Sequence, residues 1–262
     1  MMKKLWLLAL AAMLVLGMLA GGCGGGDKAA DKPANGGKAL KIGTNADFAP
    51  FEFQDVGGKE YVGFDMDLAR AVAKEMGMKA DIQNLNFDGL IPSLEAGNID
   101  VAISGMTIND ERKQKVLFSD PYYKSGLSIV VKKDNTSVKK FSDLSGKRVA
   151  VQIGTTSAKE VKKIKDVQVK EFNSSADTFM ELKAGGVDAV VNDRPVNDYY
   201  IAKSGVKDVK ALDELLTSED YGIAISKKNA DLQKKVNEAL KKLQSNGEFD
   251  KIYKKWFGDA KK

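Results

Sequence analysis

From Ala39 to Arg112 the sequence alternates between short apolar runs and helix-forming stretches. Leu40-Lys41-Ile42-Gly43-Thr44 reads as a strand, and Tyr61 to Asp67 opens a helix that runs through Lys74 to Met76. Leu68, Val72 and Met76 share one face of that helix, and Gly77 is a fitting stop. Asp81 to Leu85 reads as a second strand, Phe87 to Gly97 as a helix, and Ile99 to Ile103 as a third strand before helix-forming Asp110-Glu111-Arg112-Lys113-Gln114. Strands that alternate with helices predict an α/β fold with a parallel sheet, and ligands at the carboxyl ends of its strands. Asn45, Phe48, Phe87 and the stretch Ser104 to Arg112 all fall at that edge.

Ser104-Gly105-Met106-Thr107-Ile108-Asn109-Asp110-Glu111-Arg112 carries the most chemistry. Thr107 or Asn109 can cap the helix, and Thr107 with Asp110 makes a capping box. A strand that ends in Ser-Gly and turns into a helix aims free N–H groups at one spot, where an anion can bind. Gly105 admits a ligand close to the backbone, and Arg112 supplies a planar fork for a carboxylate. Taken alone, the stretch suits a capped surface helix with a solvated arginine equally well. Phe48, a loop aromatic before Ala49-Pro50, suits stacking on a ligand or plugging of the loop.

Val116 to Val131 reads as extended chain crossing to a second lobe, and Glu219 to Ile225 as the return. In the second lobe, Arg148 to Gln152 ends in a Gly154-Thr155-Thr156-Ser157 loop that begins a helix, with N–H and O–H donors or simple N-caps. Val187 to Val191 is a strand that ends at Asn192-Asp193-Arg194-Pro195. Asp193 can meet an ammonium group there, cap the next helix, or do both. Asp231 to Gln244 is an amphipathic helix, and the aromatics from Phe249 to Phe257 read as packing.

The chain's start follows different rules. Lys3 and Lys4 precede the apolar run Leu5 to Leu16, a signal peptide over residues 1–22. Leu19-Ala20-Gly21-Gly22-Cys23 resembles a bacterial lipobox, with its Leu one place farther from the cysteine than usual, so Cys23 is the expected site of a lipid anchor. Residues 23–38, rich in glycine, form a flexible tether. Residues 39–124 and 221–262 would form the first lobe and residues 125–220 the second. With one cysteine there is no internal disulfide, and with no histidine there are no Ser-His-Asp triads or His-based metal sites. A net charge of +5, spread over helices rich in both signs, marks a solvated surface rather than a nucleic-acid groove. No metal, cofactor or nucleic acid is expected.

Two lobes joined by two crossings form a hinge around a cleft. An arginine with N–H groups suits an α-carboxylate, an aspartate an α-ammonium, and aromatics a partly apolar side chain. These describe a receptor for a free amino acid. From Ala39 to Lys262 the chain resembles the polar amino-acid binding proteins of bacterial ABC importers, family 3 of the extracellular solute-binding proteins, and is especially similar to glutamine-binding ones. The residues that carry the resemblance are Ala49 to Phe53, Val62 to Leu68, Gly105 to Arg112, Phe118 to Tyr123 and Ile252 to Gly258.

The resemblance implies the type II periplasmic-binding-protein fold, no enzymatic activity, a membrane permease as partner and a monomer. It implies that Arg112 and the backbone at Gly105, Thr107 and Thr156 hold the carboxylate. Asp193, with Gly105 and Thr107, would hold the ammonium, and Phe48 and Phe87 would sandwich the side chain. Asn45, Gln152 and Asn192 would face its far end, with Ser104 and Thr155 completing the site. Relatives commonly carry an aspartate at the place of Asn45, a lysine at Gln152 and a histidine at Asn192. Neutral far-end partners favour glutamine. Arginine or lysine would have to be read through Asp47, Asp88 or water. A periplasmic hydrolase or dehydratase on the same fold is the enzyme alternative, opposed by the lack of histidine and of an obvious carboxylate pair in the motif loops.

Overall fold

The computed structural model describes residues 38–203 and 207–259, and the expected signal peptide, Cys23 and almost all of the tether lie outside them. Two five-stranded sheets organise the chain into two lobes. In the first, Ala39–Thr44 lies between Lys79–Asn84 and Val101–Ala102, parallel to both. The sheet is mixed rather than wholly parallel. Ala224–Ser226, from the chain's return, inserts antiparallel between Val101–Ala102 and Val116–Phe118. The second sheet repeats this plan. Arg148–Gln152 lies parallel between Gln168–Phe172 and Ala189–Asp193, and Leu127–Lys132 runs antiparallel beside Ala189–Asp193. The inner strands are apolar, with Val149, Ala150, Val151, Ala189 and Val190 all fully buried, while the edge strands Lys79–Asn84 and Gln168–Phe172 carry exposed polar residues.

Between the sheets, Tyr123–Ser125 leaves the first lobe and Glu219–Tyr221 returns to it, paired antiparallel with Tyr123 opposite Tyr221. Aromatic rings close the base of this hinge: Phe51 lies 4.8 Å from Tyr123 and 5.4 Å from Phe257, ring centre to ring centre. The C-terminal helices Ala230–Ser245 and Glu248–Phe257 pack on the first lobe beside the helix Phe64–Glu75. The expected packing role of the last aromatics is thus what the structure shows. Gly63 precedes that helix at φ 132°, where a side chain would collide with the carbonyl of Phe51. That close approach ties the loop bearing Phe48 to the helix bearing Asp65.

Candidate ligand-binding site

A narrow cleft lies where residues of the two lobes meet. Asn45, Phe48, Phe87, Ser104, Gly105, Thr107, Arg112, Gln152, Thr155, Thr156 and Asp193 line it, and so does Glu52, which the sequence reading passed over. Asn192 does not line it. Its amide donates to Ser175 Oγ at 2.8 Å, and its Oδ1 accepts from the N–H of Asp193. Successive side chains in a strand point to opposite faces, so when Asp193 enters the cleft Asn192 must turn away. Asp47 and Asp88 are also outside the lining; Asp47 accepts from the N–H of Ser175 at 3.1 Å.

Arg112 is buried, on the four-residue helix Asp110–Lys113. Asn109, not Thr107, caps that helix, accepting the N–H of Arg112 itself at 2.9 Å. The cap occupies the N–H of Arg112, so what Arg112 can offer an anion is its side chain. Its guanidinium donates to the carbonyls of Thr107 at 2.8 Å and Gly154 at 3.1 Å, and its Cζ lies 5.3 Å from the centre of the Phe87 ring. Two backbone carbonyls and a ring fix the plane of the fork, and its other N–H groups remain for a ligand. Burial works against its charge, while Glu219 and Asp193 sustain it. Across the cleft, Thr155 caps the helix Thr156–Val161 by accepting the N–H of Ala158 at 3.2 Å.

Gly105 sits at φ 49°, and a Cβ there would come within 2.8 Å of the Phe48 ring. Its N–H donates to Asp65 Oδ2 at 2.7 Å, so it is not available to a carboxylate, and only the Gly105 carbonyl is left to meet an ammonium. Tyr122 Oη donates to the same Asp65 oxygen at 2.8 Å. Ser104 Oγ donates to Glu52 Oε1 at 2.8 Å and accepts the N–H of Asn45 at 3.0 Å. Glu52 and Asp65 are a buried carboxyl pair beneath the site loop, a feature absent from the sequence expectation. Burial, and then the neighbouring Asp65, push Glu52 well above the usual carboxylate range; burial lifts Asp65 to about 6. Burial thus favours the protonated form of both, and of Glu52 the more strongly. Asp193 accepts from Ser125 Oγ at 2.9 Å, and burial together with Glu219 raises it to about 7.

Gln152 Nε2 donates to Asn45 Oδ1 at 2.7 Å, joining the lobes at the far end of the cleft. Lys159 and Glu111 pair at 2.7 Å across its outer rim. Raised carboxyls carry a stability consequence. Asp47, Asp65 and Asp193, at about 6, 6 and 7, hold protons in the folded state that the unfolded chain releases nearer 3.8. The folded state thus binds more protons over that window, and its stability falls as pH rises through it. The thermal midpoint of the ligand-free protein is expected to be higher at about pH 5 than at about pH 8; the reverse order, read by calorimetry, would contradict these assignments.

A two-lobed α/β fold with a buried arginine in the cleft at its hinge is the architecture of a solute-binding protein. The chain belongs to the bacterial extracellular solute-binding proteins, family 3, whose model matches residues 40–259. It is 35% identical to the arginine-binding extracellular protein ArtP of Bacillus subtilis (strain 168), over 99% of this chain and 100% of that one. It is 33% identical to the ABC transporter glutamine-binding protein GlnH of the same organism, over 97% of each. Among solved structures, an ancestral arginine-binding protein bound to glutamine superposes with a TM-score of 0.82 at 49% identity, covering 84% of this chain and 98% of that one. All three are described as amino-acid-binding proteins, and GlnH as part of an ABC transporter.

Proposed function

We propose that this protein binds a free L-amino acid for an ABC importer, with arginine as the preferred ligand and glutamine as a second ligand of the same site. The observation that carries arginine is Glu52. It lines the cleft beside Asn45 and Ser104, so the carboxylate missing at Asn45 is supplied from the neighbouring strand. Glu219 and Asp193 both act on Arg112, and a zwitterion adds no net positive charge to offset the second carboxyl. A guanidinium at the far end would displace the proton of Glu52 and pair with it. Glutamine is favoured by the amides of Asn45 and Gln152 and by a Glu52 that keeps its proton. In either case Arg112 takes the α-carboxylate, Asp193 and the Gly105 carbonyl take the α-ammonium, and Phe48 and Phe87 flank the side chain.

Each lobe supplies part of this set, so the ligand stabilises the closed form by differential contacts. The closed form docks on a membrane permease, and a lipid on Cys23 holds the otherwise monomeric protein at the outer face of the membrane. The ligand is bound and released unchanged.

Isothermal titration after unfolding and refolding, against arginine and glutamine, tests this reading. Glu52→Gln should weaken arginine about tenfold and leave glutamine within roughly threefold. Equal loss of both would remove Glu52 as the reader of charge. Mass spectrometry of the bound amino acid after prolonged incubation should return it intact; a converted product would favour an enzyme.

A further inference from the structure

Glu219 opens the returning strand of the hinge, and its side chain is buried. Thr107 Oγ1 donates to its Oε2 at 2.6 Å and Thr156 Oγ1 to the same oxygen at 3.0 Å. Thr217 Oγ1 donates to Oε1 at 3.1 Å. An ionised carboxylate only accepts, so each hydroxyl must direct its single proton at Glu219. Thr107 belongs to the first lobe's site loop, which bridges to the hinge strand opposite Tyr221. Thr156 belongs to the first turn of a second-lobe helix. One carboxylate oxygen therefore joins the two walls of the cleft from behind.

The consequence is one of polarity. Thr107 and Thr156 both line the cleft. With their protons on Glu219, their oxygens have only lone pairs left for a ligand. Lone pairs attract an ammonium and repel a carboxylate. Were the protons free to turn, either hydroxyl could serve either end of a zwitterion, and the site would not distinguish them. Glu219 also sustains the charge of Arg112, which keeps the opposite end of the site committed to the carboxylate.

We propose that Glu219 is a positioning residue for the ligand's α-ammonium: it fixes the hydroxyls of Thr107 and Thr156 as acceptors and so sets which way round an amino acid lies in the cleft. This rests on the amino-acid reading above and deepens it. Glu219 itself does not line the cleft, and it acts through the two threonines.

Glu219→Gln keeps the size of the side chain but replaces one acceptor with a donor, which forces at least one threonine hydroxyl to reverse. Arginine and glutamine are titrated into both proteins, each beside its deamino analogue, in which hydrogen replaces the α-ammonium. The variant should bind the amino acid about tenfold more weakly and the deamino analogue within roughly twofold of the parent. A purely structural role would weaken both ligands alike, so equal loss, or no loss of either, overturns the proposal. If Glu219→Gln does not fold, Thr156→Val carries the same test. It removes one hydroxyl, leaves the carboxylate, and should narrow the preference for the amino acid about threefold, and an unchanged preference overturns the proposal. A parent protein that binds neither amino acid defeats the amino-acid reading, and Glu219's part with it. Binding by the parent with an unchanged preference in Glu219→Gln removes only the part of Glu219.

Discussion

Arg112→Ala is expected to lose amino-acid binding by about 2–5 kcal/mol, roughly thirtyfold to several-thousandfold, with the fold intact. The size follows from burial. The guanidinium lies inside the protein with Thr107 and Gly154 carbonyls holding its plane, so a ligand carboxylate would meet it in a dry, oriented setting. Truncation leaves that carboxylate without a countercharge and faces it with Glu219 and Asp193, which now repel it. The fold should survive because the side chain bridges the lobes at the cleft and enters none of the three apolar clusters. Arg112→Lys keeps the charge and loses the fork, and should fall between the two. Titration calorimetry reads the affinity and circular dichroism the fold. Undiminished affinity in a folded Arg112→Ala would move the site elsewhere.

The local elements were legible because their signals are local. The helix Phe64–Glu75 buries Leu68 and Val72, as their spacing requires, and Gly97 closes the helix Leu90–Ala96 in the left-handed conformation. What escaped the sequence depends on pairings between distant segments. Ala224–Ser226 turns the first sheet from parallel to mixed, yet it comes from the returning chain and no neighbour in sequence announces its place. Glu52 was hidden for the same reason. It pairs with Phe48 across an antiparallel register, and directly opposed residues share a face, so a cleft that holds Phe48 also holds Glu52. Only the register reveals this.

Asn192 was the avoidable error. Once Asp193 was placed at the ligand, strand alternation already turned its neighbour away. The role given to the Gly105 N–H failed for a subtler reason. Its acceptor, Asp65, lies on a helix forty residues earlier in the chain, and the contact at 2.7 Å exists only because Gly63 lets that helix approach. A backbone donor at the end of a strand is free only if no buried carboxylate has claimed it.

Asp193 gives the second large effect, in pH. Burial and the neighbouring Glu219 raise its carboxyl to about 7, so near neutrality it is partly protonated before a ligand arrives. An α-ammonium stabilises only the ionised form, so binding must expel the proton. The sign is fixed by linkage. The bound state holds fewer protons than the free state, and affinity therefore rises with pH until Asp193 is ionised in both. Below about pH 7 the loss approaches tenfold per unit, which makes binding at about pH 5 roughly fiftyfold weaker than at about pH 7. Above that the affinity should level off until the ligand's own ammonium begins to titrate. Calorimetry in buffers of different ionisation enthalpy should detect proton release near pH 6. Asp193→Asn should bind glutamine weakly at every pH and lose most of the slope, since glutamine leaves the proton of Glu52 in place and Asp47 and Asp65 do not line the cleft. An affinity that stays level from about pH 5 to about pH 8 would mean that Asp193 does not carry the ammonium, and the second-lobe half of the site would have to be reassigned.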